Sequence, residues 1–217
     1  MTALLLVLAL ANAGATDREW RAQEEAKARM RQKIEPVAAH LTSVVQEVID
    51  RYVEEEGEGA VPFVHKGIGI DFAYPSKGVR LSSFGSSWRR DPAYDDVAAD
   101  MALLQAIGVE GMKPKDVEST RESLKRVGYL VRFLGSKEHA DQYLYWLSSG
   151  FEPWDMKVDG MGPHAGIIRT NRFKKLTVVF PIRDMVVMVT GVWEPLLREM
   201  AIALARELRT LTVEGEE

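Results

Sequence analysis

Residues 64–84 read VHKGIGIDFAYPSKGVRLSSF. Ile68, Ile70 and Phe72 alternate with Gly69 and Asp71, and Val79, Leu81 and Ser83 resume the alternation beyond Tyr74-Pro75-Ser76-Lys77-Gly78. A period of two sends successive side chains to opposite faces of an extended chain, and the intervening residues are turn formers. The stretch therefore predicts a β-hairpin over 64–84.

Upstream the period is that of a helix. Val37, Leu41, Val44, Val45, Val48, Ile49 and Tyr52 recur every three or four residues behind Pro36, a residue suited to a first helical turn. So broad an apolar stripe must be covered. The protein's own core is the simplest cover, and a partner protein docking on the N-terminal helices is the other. Before it, Asp17 to Ile34 is a charge-dense run with Arg21/Glu25 and Glu25/Arg29 at helical spacing, a solvated helix. EEEGEG at 54–59 reads as an acidic linker.

Downstream, Asp91-Pro92 predicts a helix start, with Tyr94, Val97, Met101, Leu104 and Ile107 on one face, and Pro114 opens another helix containing Val117, Leu124 and Val127. The aromatic and β-branched content of 128–150 predicts a second hairpin, 129–134 with 142–147; a helix over Glu138–Leu147 competes with it. Ile167–Phe173, Leu176–Ile182 and Met185–Val192 read as strands, with Pro181-Ile182-Arg183-Asp184 as a tight connection between the last two. Pro195 begins a helix with Leu196, Leu197, Met200, Leu204 and Leu208 on one side and Ile202 as an apolar exception. The expected class is α+β, a mainly antiparallel sheet covered by helices, with an N-terminal helical extension. The expected division is a signal at 1–15, the helical extension and linker at 16–59, and an α+β domain at 60–217.

With 46% hydrophobic and 28% charged residues the chain has a globular composition. Its net charge of −4 offers no basic field for nucleic acid or an anionic membrane. The absence of cysteine excludes disulfides, thiolate metal sites and cysteine nucleophiles. Ala3 to Ala11 is an apolar run followed by Ala-Asn-Ala at 11–13, which predicts a secretory signal although no Lys or Arg precedes it. The run is too short to span a bilayer, for which about 20 apolar residues are needed. The expected location is thus secreted or periplasmic, and cytoplasmic if the run is not a signal.

The most tempting site is VDGMGPHAGIIRTNR at 158–172. Gly160, Gly162 and Ala165 match the spacing of a dinucleotide cradle. However, the residues after them look like a strand, and Pro163 removes a donor from the middle of the cradle. A loop entering a strand is expected, with Trp154, Asp155, Asp159, His164, Arg169 and Arg172 as a candidate binding rim. His164 lacks a nucleophile or orienting partner at a recognisable spacing, so no catalytic residue is assigned. No H-x-x-x-H or H-E-x-x-H occurs, and Glu138-His139-Ala140-Asp141 alone is too few groups for a metal; neither metal nor cofactor is expected. Ser82, Ser83, Ser86 and Ser87 around Gly85 do not form the G-x-S-x-G of a serine nucleophile. Arg89-Arg90 and the Arg169, Arg172, Lys174, Lys175 cluster read as solvated strand edges.

Two local resemblances complete the sequence reading. Residues 103–136, LLQAIGVEGMKPKDVESTRESLKRVGYLVRFLGS, resemble a winged-helix segment. That resemblance implies a recognition helix after Pro114, DNA contacts from Ser119, Arg121, Lys125 and Arg126, and a wing at 129–147. IGIDFAYPSKGVRL is similar to the strand and Tyr-Pro turn that open PsbP-like lumenal and secreted domains, which implies a non-catalytic exported domain. The function expected from all this is a non-catalytic binding or accessory protein. A winged-helix-like DNA binder and an enzyme with its site at 152–172 are the alternatives.

Overall fold

The computed structural model describes residues 2–73, 81–107, 113–149, 156–157, 165–170 and 175–210. The chain divides into two compact units, Met1–Val37 and Ala38–Glu217. Helix α1, Thr2–Glu56, contributes to both.

Within the first unit the charge-dense run is helical, with Lys27–Glu24 at 2.7 Å and Arg29–Glu25 at 3.8 Å. Pro36 lies inside α1, where the sequence predicts a new helix to begin. Proline cannot donate to the carbonyl four residues back. Here Gln32 and Pro36 are both exposed, so water can take the place of the lost bond.

The second unit is built on a seven-stranded antiparallel sheet in the order β1-β2-β3-β7-β6-β5-β4. The strands are β1 Phe63–Ala73, β2 Leu81–Arg90, β3 Arg126–Phe133, β4 Met156–Lys157, β5 Gly166–Thr170, β6 Lys175–Ile182 and β7 Met185–Gly191. The hairpin expected at 64–84 is β1 paired with β2, its turn outside the described residues. One bulge falls between His65 and Gly67, and Gly67 takes φ 136°, a conformation that suits glycine. The three C-terminal strands are present, the last two joined at Arg183-Asp184 by a two-residue turn with Arg183 at φ 52°.

Direct partners across a sheet share a face, and the register therefore sorts every side chain. Phe84, Trp88, Tyr129, Val131, Val187 and Val189 are all at most 4% exposed and line one face. Two helices cover that face. Residues 38–56 of α1 supply Ala38, Leu41, Val45, Val48 and Ile49, so the apolar stripe is covered by the protein's own core. Helix α5, Glu194–Thr210, buries Leu196, Leu197, Met200, Leu204 and Leu208 and leaves Ile202 41% exposed. The two run side by side in opposite directions, tied by His40–Glu207 at 2.9 Å and Arg51–Glu199 at 3.1 Å. Buried polar groups fix α1 on the sheet. Trp88 Nε1 donates to Gln46 at 2.6 Å, and the Tyr129 hydroxyl lies 2.9 Å from Thr42 Oγ1 and 3.2 Å from the Ala38 carbonyl. Burial pushes the Tyr129 phenol up to about 12.

Among the described residues the opposite face is only partly covered. Helix α4, Lys137–Ser149, lays Ala140 and Leu144 on Ile168, Val179 and Val186 of β5–β7. The hairpin predicted for 129–134 with 142–147 is thereby corrected. Residues 129–133 belong to β3, a central strand with partners on both sides, and 142–147 belong to α4, the competing helix. Local aromatic content does not separate the two, because Tyr143 and Leu147 serve an amphipathic helix as well as a strand. The wing at 129–147 is absent for the same reason.

Between β2 and β3 the chain makes a short 3₁₀ turn, Pro92–Tyr94, then α2 Val97–Ile107 and α3 Pro114–Leu124. Asp91 caps the turn, but Asp96 caps α2 through the amides of Ala98 and Ala99. The helix thus starts later than Asp91-Pro92 predicts. Of its expected inward stripe Leu104 is buried, whereas Tyr94, Val97 and Met101 are exposed.

Candidate functional site

The hairpin that decides the fold also makes an open concavity. On the face away from α1, every second residue of β1 and β2 is small or polar. Gly67, Gly69 and Asp71 stand opposite Ser87, Gly85 and Ser83, and Leu130 and Arg132 of β3 continue the row. Together they floor an open trough of about 500 Å³. The glycines have separate origins. At Gly85 a Cβ would sit 2.2 Å from the Tyr129 carbonyl, so the close approach of β2 and β3 excludes any side chain. At Gly69 a Cβ would meet nothing within 4 Å, and only the trough itself would lose space.

Arg132 is the cationic member of this lining, and it reaches α4. Arg132 donates a hydrogen bond to the Tyr143 hydroxyl, and its guanidinium lies 5.2 Å from the Tyr143 ring centroid. Tyr143 is followed by Trp146 at 6.5 Å, and Trp146 and Tyr145 are 69% and 76% exposed. Arg132 therefore connects the floor of the trough to the aromatic surface of α4.

Behind the floor, His65 Nε2 lies 2.5 Å from Ser86 Oγ, a pairing that suggests a catalytic dyad. The hydroxyl hydrogen, however, goes to the Gly67 carbonyl at 3.0 Å, so the imidazole donates to the serine oxygen. An activated serine needs the reverse. Ser86 is buried, and the pair holds the bulge of β1 against β2.

The basic residues around α3 are also engaged inward. Lys125, 6% exposed at its side chain, lies 2.8 Å from Asp95 and 2.7 Å from Asp100. Arg121 meets Asp100 at 2.9 Å, and Arg89 reaches Glu122 at 2.9 Å and Asp95 at 3.3 Å. Burial lowers the affinity of Lys125 for its proton, and the two aspartates more than offset that, leaving its pKa raised. The Lys125 hydrogen bond holds Asp95 below the usual carboxylate range against the opposing effect of burial. Arg89 is thus a paired residue of this network and not a solvated strand edge, and Arg90 stacks over Trp193 at 4.9 Å. Of the four residues the winged-helix resemblance assigns to DNA, Arg121 and Lys125 are bound to carboxylates, and Arg126 is 3.9 Å from Glu122.

Trp154, Asp155, Asp159, His164 and Arg172 lie outside the described residues. Arg169 is placed in β5 opposite Leu176 of β6. His139 is tied to the start of α4, its Nδ1 3.2 Å from the Leu134 carbonyl. Among the described residues no group of three His, Asp or Glu could hold a metal ion, and no helix is long and apolar enough to cross a membrane. The trough has a signal in the sequence. The alternation used for the apolar face also places Gly67, Gly69, Asp71, Ser83, Gly85 and Ser87 together on the other. No protein-family model, curated protein or solved structure matches the chain.

Proposed function

We propose that this chain is a non-catalytic binding or accessory protein, and that it takes a segment of a partner protein along the trough on β1–β3. One observation carries the reading. Among the described residues the β1–β3 part of one sheet face is left open, with Arg132 in its lining, while the face under α1 and α5 is filled with apolar side chains. A floor of glycine and serine admits a chain lying close to the sheet, and Arg132 offers charged hydrogen-bond donors at its side. The stripe at 38–56 supports no docking role, since it is spent on the core. Export belongs to the same proposal and rests on the apolar run Ala3–Ala11 with its small-residue sequel.

The test is site-specific photocrosslinking in the native host, with a photoreactive residue replacing Ser83 in the trough or Ile202 on α5. A discrete adduct with another protein from position 83, absent from position 202 and lost when Gly69→Trp fills the trough, is the expected result. Equal labelling from both positions would refute the trough. For export, N-terminal sequencing of the recovered protein is expected to begin near residue 14 or 16; an intact Met1 would refute it.

A further inference from the structure

We propose that β1 is a two-fold interface, on which a second copy of this chain adds its own β1 antiparallel and joins the two sheets. β1 is the terminal strand of the sheet and is 11 residues long, so one side of its backbone has no strand partner among the described residues. Val64 and Ile68 on it are each 40% exposed. Proteins commonly blunt such an edge, because its amides and carbonyls template further pairing.

The side chains of β1 are complementary to themselves when the strand is reversed. Beyond the bulge, Gly67–Ala73 is regular against β2. A dyad perpendicular to the sheet keeps each residue on its own face, so the pairing must centre on a residue. Centred on Gly69, it sets Ile68 opposite Ile70 of the second copy, and Asp71 opposite Gly67. The bulge leaves Lys66 beside Gly67 as the extra residue, which brings it to Asp71 of the other copy. Both are exposed, and neither makes an ion pair or hydrogen bond among the described residues. The symmetry doubles the contact, giving two Lys66–Asp71 pairs flanking two isoleucine pairs. Gly69 brings no Cβ to the dyad. The trough, floored by the same strand, would then continue from one copy into the other.

Sedimentation equilibrium of the full chain between about 1 and 100 µM at low salt is expected to show a dimer. Lys66→Glu or Asp71→Lys alone is expected to weaken dimerisation by at least about tenfold. The combined swap is expected to recover to within about threefold of the unaltered chain. The chain has no cysteine, so Gly69→Cys gives a clean register probe. Antiparallel partners lie about 4.5–5.5 Å apart at Cα, within disulfide reach, and oxidation is expected to link that variant but not Ile202→Cys. Circular dichroism of each variant checks that it is folded. A monomer throughout the concentration range would overturn the proposal. So would a dimer indifferent to both single changes, or one that the double swap does not restore.

Discussion

Gly85 and Gly69 lie opposite each other on adjacent strands yet answer to different constraints. Gly85→Ala would drive a methyl group into the Tyr129 carbonyl, a backbone atom held by the β2–β3 ladder. The expected cost is about 1–3 kcal/mol. Gly69→Ala meets open space and is expected to change stability by no more than about 1 kcal/mol, with any gain coming from reduced freedom of the unfolded chain. Urea melts of the two variants check the contrast. Tyr129→Phe removes a hydroxyl placed against Thr42 and the Ala38 carbonyl, and is expected to cost about 1 kcal/mol. Thr42→Val in that background should add less than it does alone, which a double-mutant cycle would show. None of these contacts was legible in the sequence. Tyr129 is 87 residues from Thr42, and only the fold brings them together.

At the scale of the element, α2 shows how charge can override an apolar pattern. The spacing of Tyr94, Val97, Met101 and Leu104 predicts a core-facing helix, yet only Leu104 is buried among them. The helix is held instead through Asp100 and its neighbour Asp95, which form ion pairs with the buried ammonium of Lys125. A lysine taken out of water must be paired, and that demand fixes which side of the segment turns inward. The pH dependence follows from the directions of the two shifts. Asp95 has a depressed pKa in the fold, so its contribution is complete above the ordinary aspartate range near 3.9 and is lost as pH falls through its folded value. Lys125 has a raised pKa, so its contribution is complete below about 10.4 and is lost as pH rises through the folded value. Chemical denaturation across pH should show a plateau between those limits. Asp95→Asn should flatten the acid flank, and Lys125→Met should flatten both. In α5, by contrast, every residue of the expected stripe is buried, joined by Ala201 and Ala205, and Ile202 is exposed.

On the scale of the whole molecule, the second unit depends on a helix segment that looks like a separate extension in the sequence. Deleting residues 1–37 is expected to leave the remainder folded, because the core begins at Ala38. Deleting 1–56 uncovers Trp88, Phe84 and Tyr129 by removing Leu41, Val45 and Ile49, and is expected to unfold or aggregate the rest. Circular dichroism and limited proteolysis of the two truncations check this. What the sequence determined by itself is local and periodic: the hairpin at 64–84, the C-terminal strands, the stripes of 37–52 and α5, and the α+β class that follows from them. Those are consequences of hydrophobic spacing along a few residues, and spacing survives without knowledge of neighbours. Only the tertiary structure decided that β3 lies at the centre of the sheet, that 137–149 is a helix, and that the described residues leave an open trough on β1–β3. Each of these depends on which distant segment arrives beside which, and on the pairing of buried charge, neither of which a period along the chain encodes.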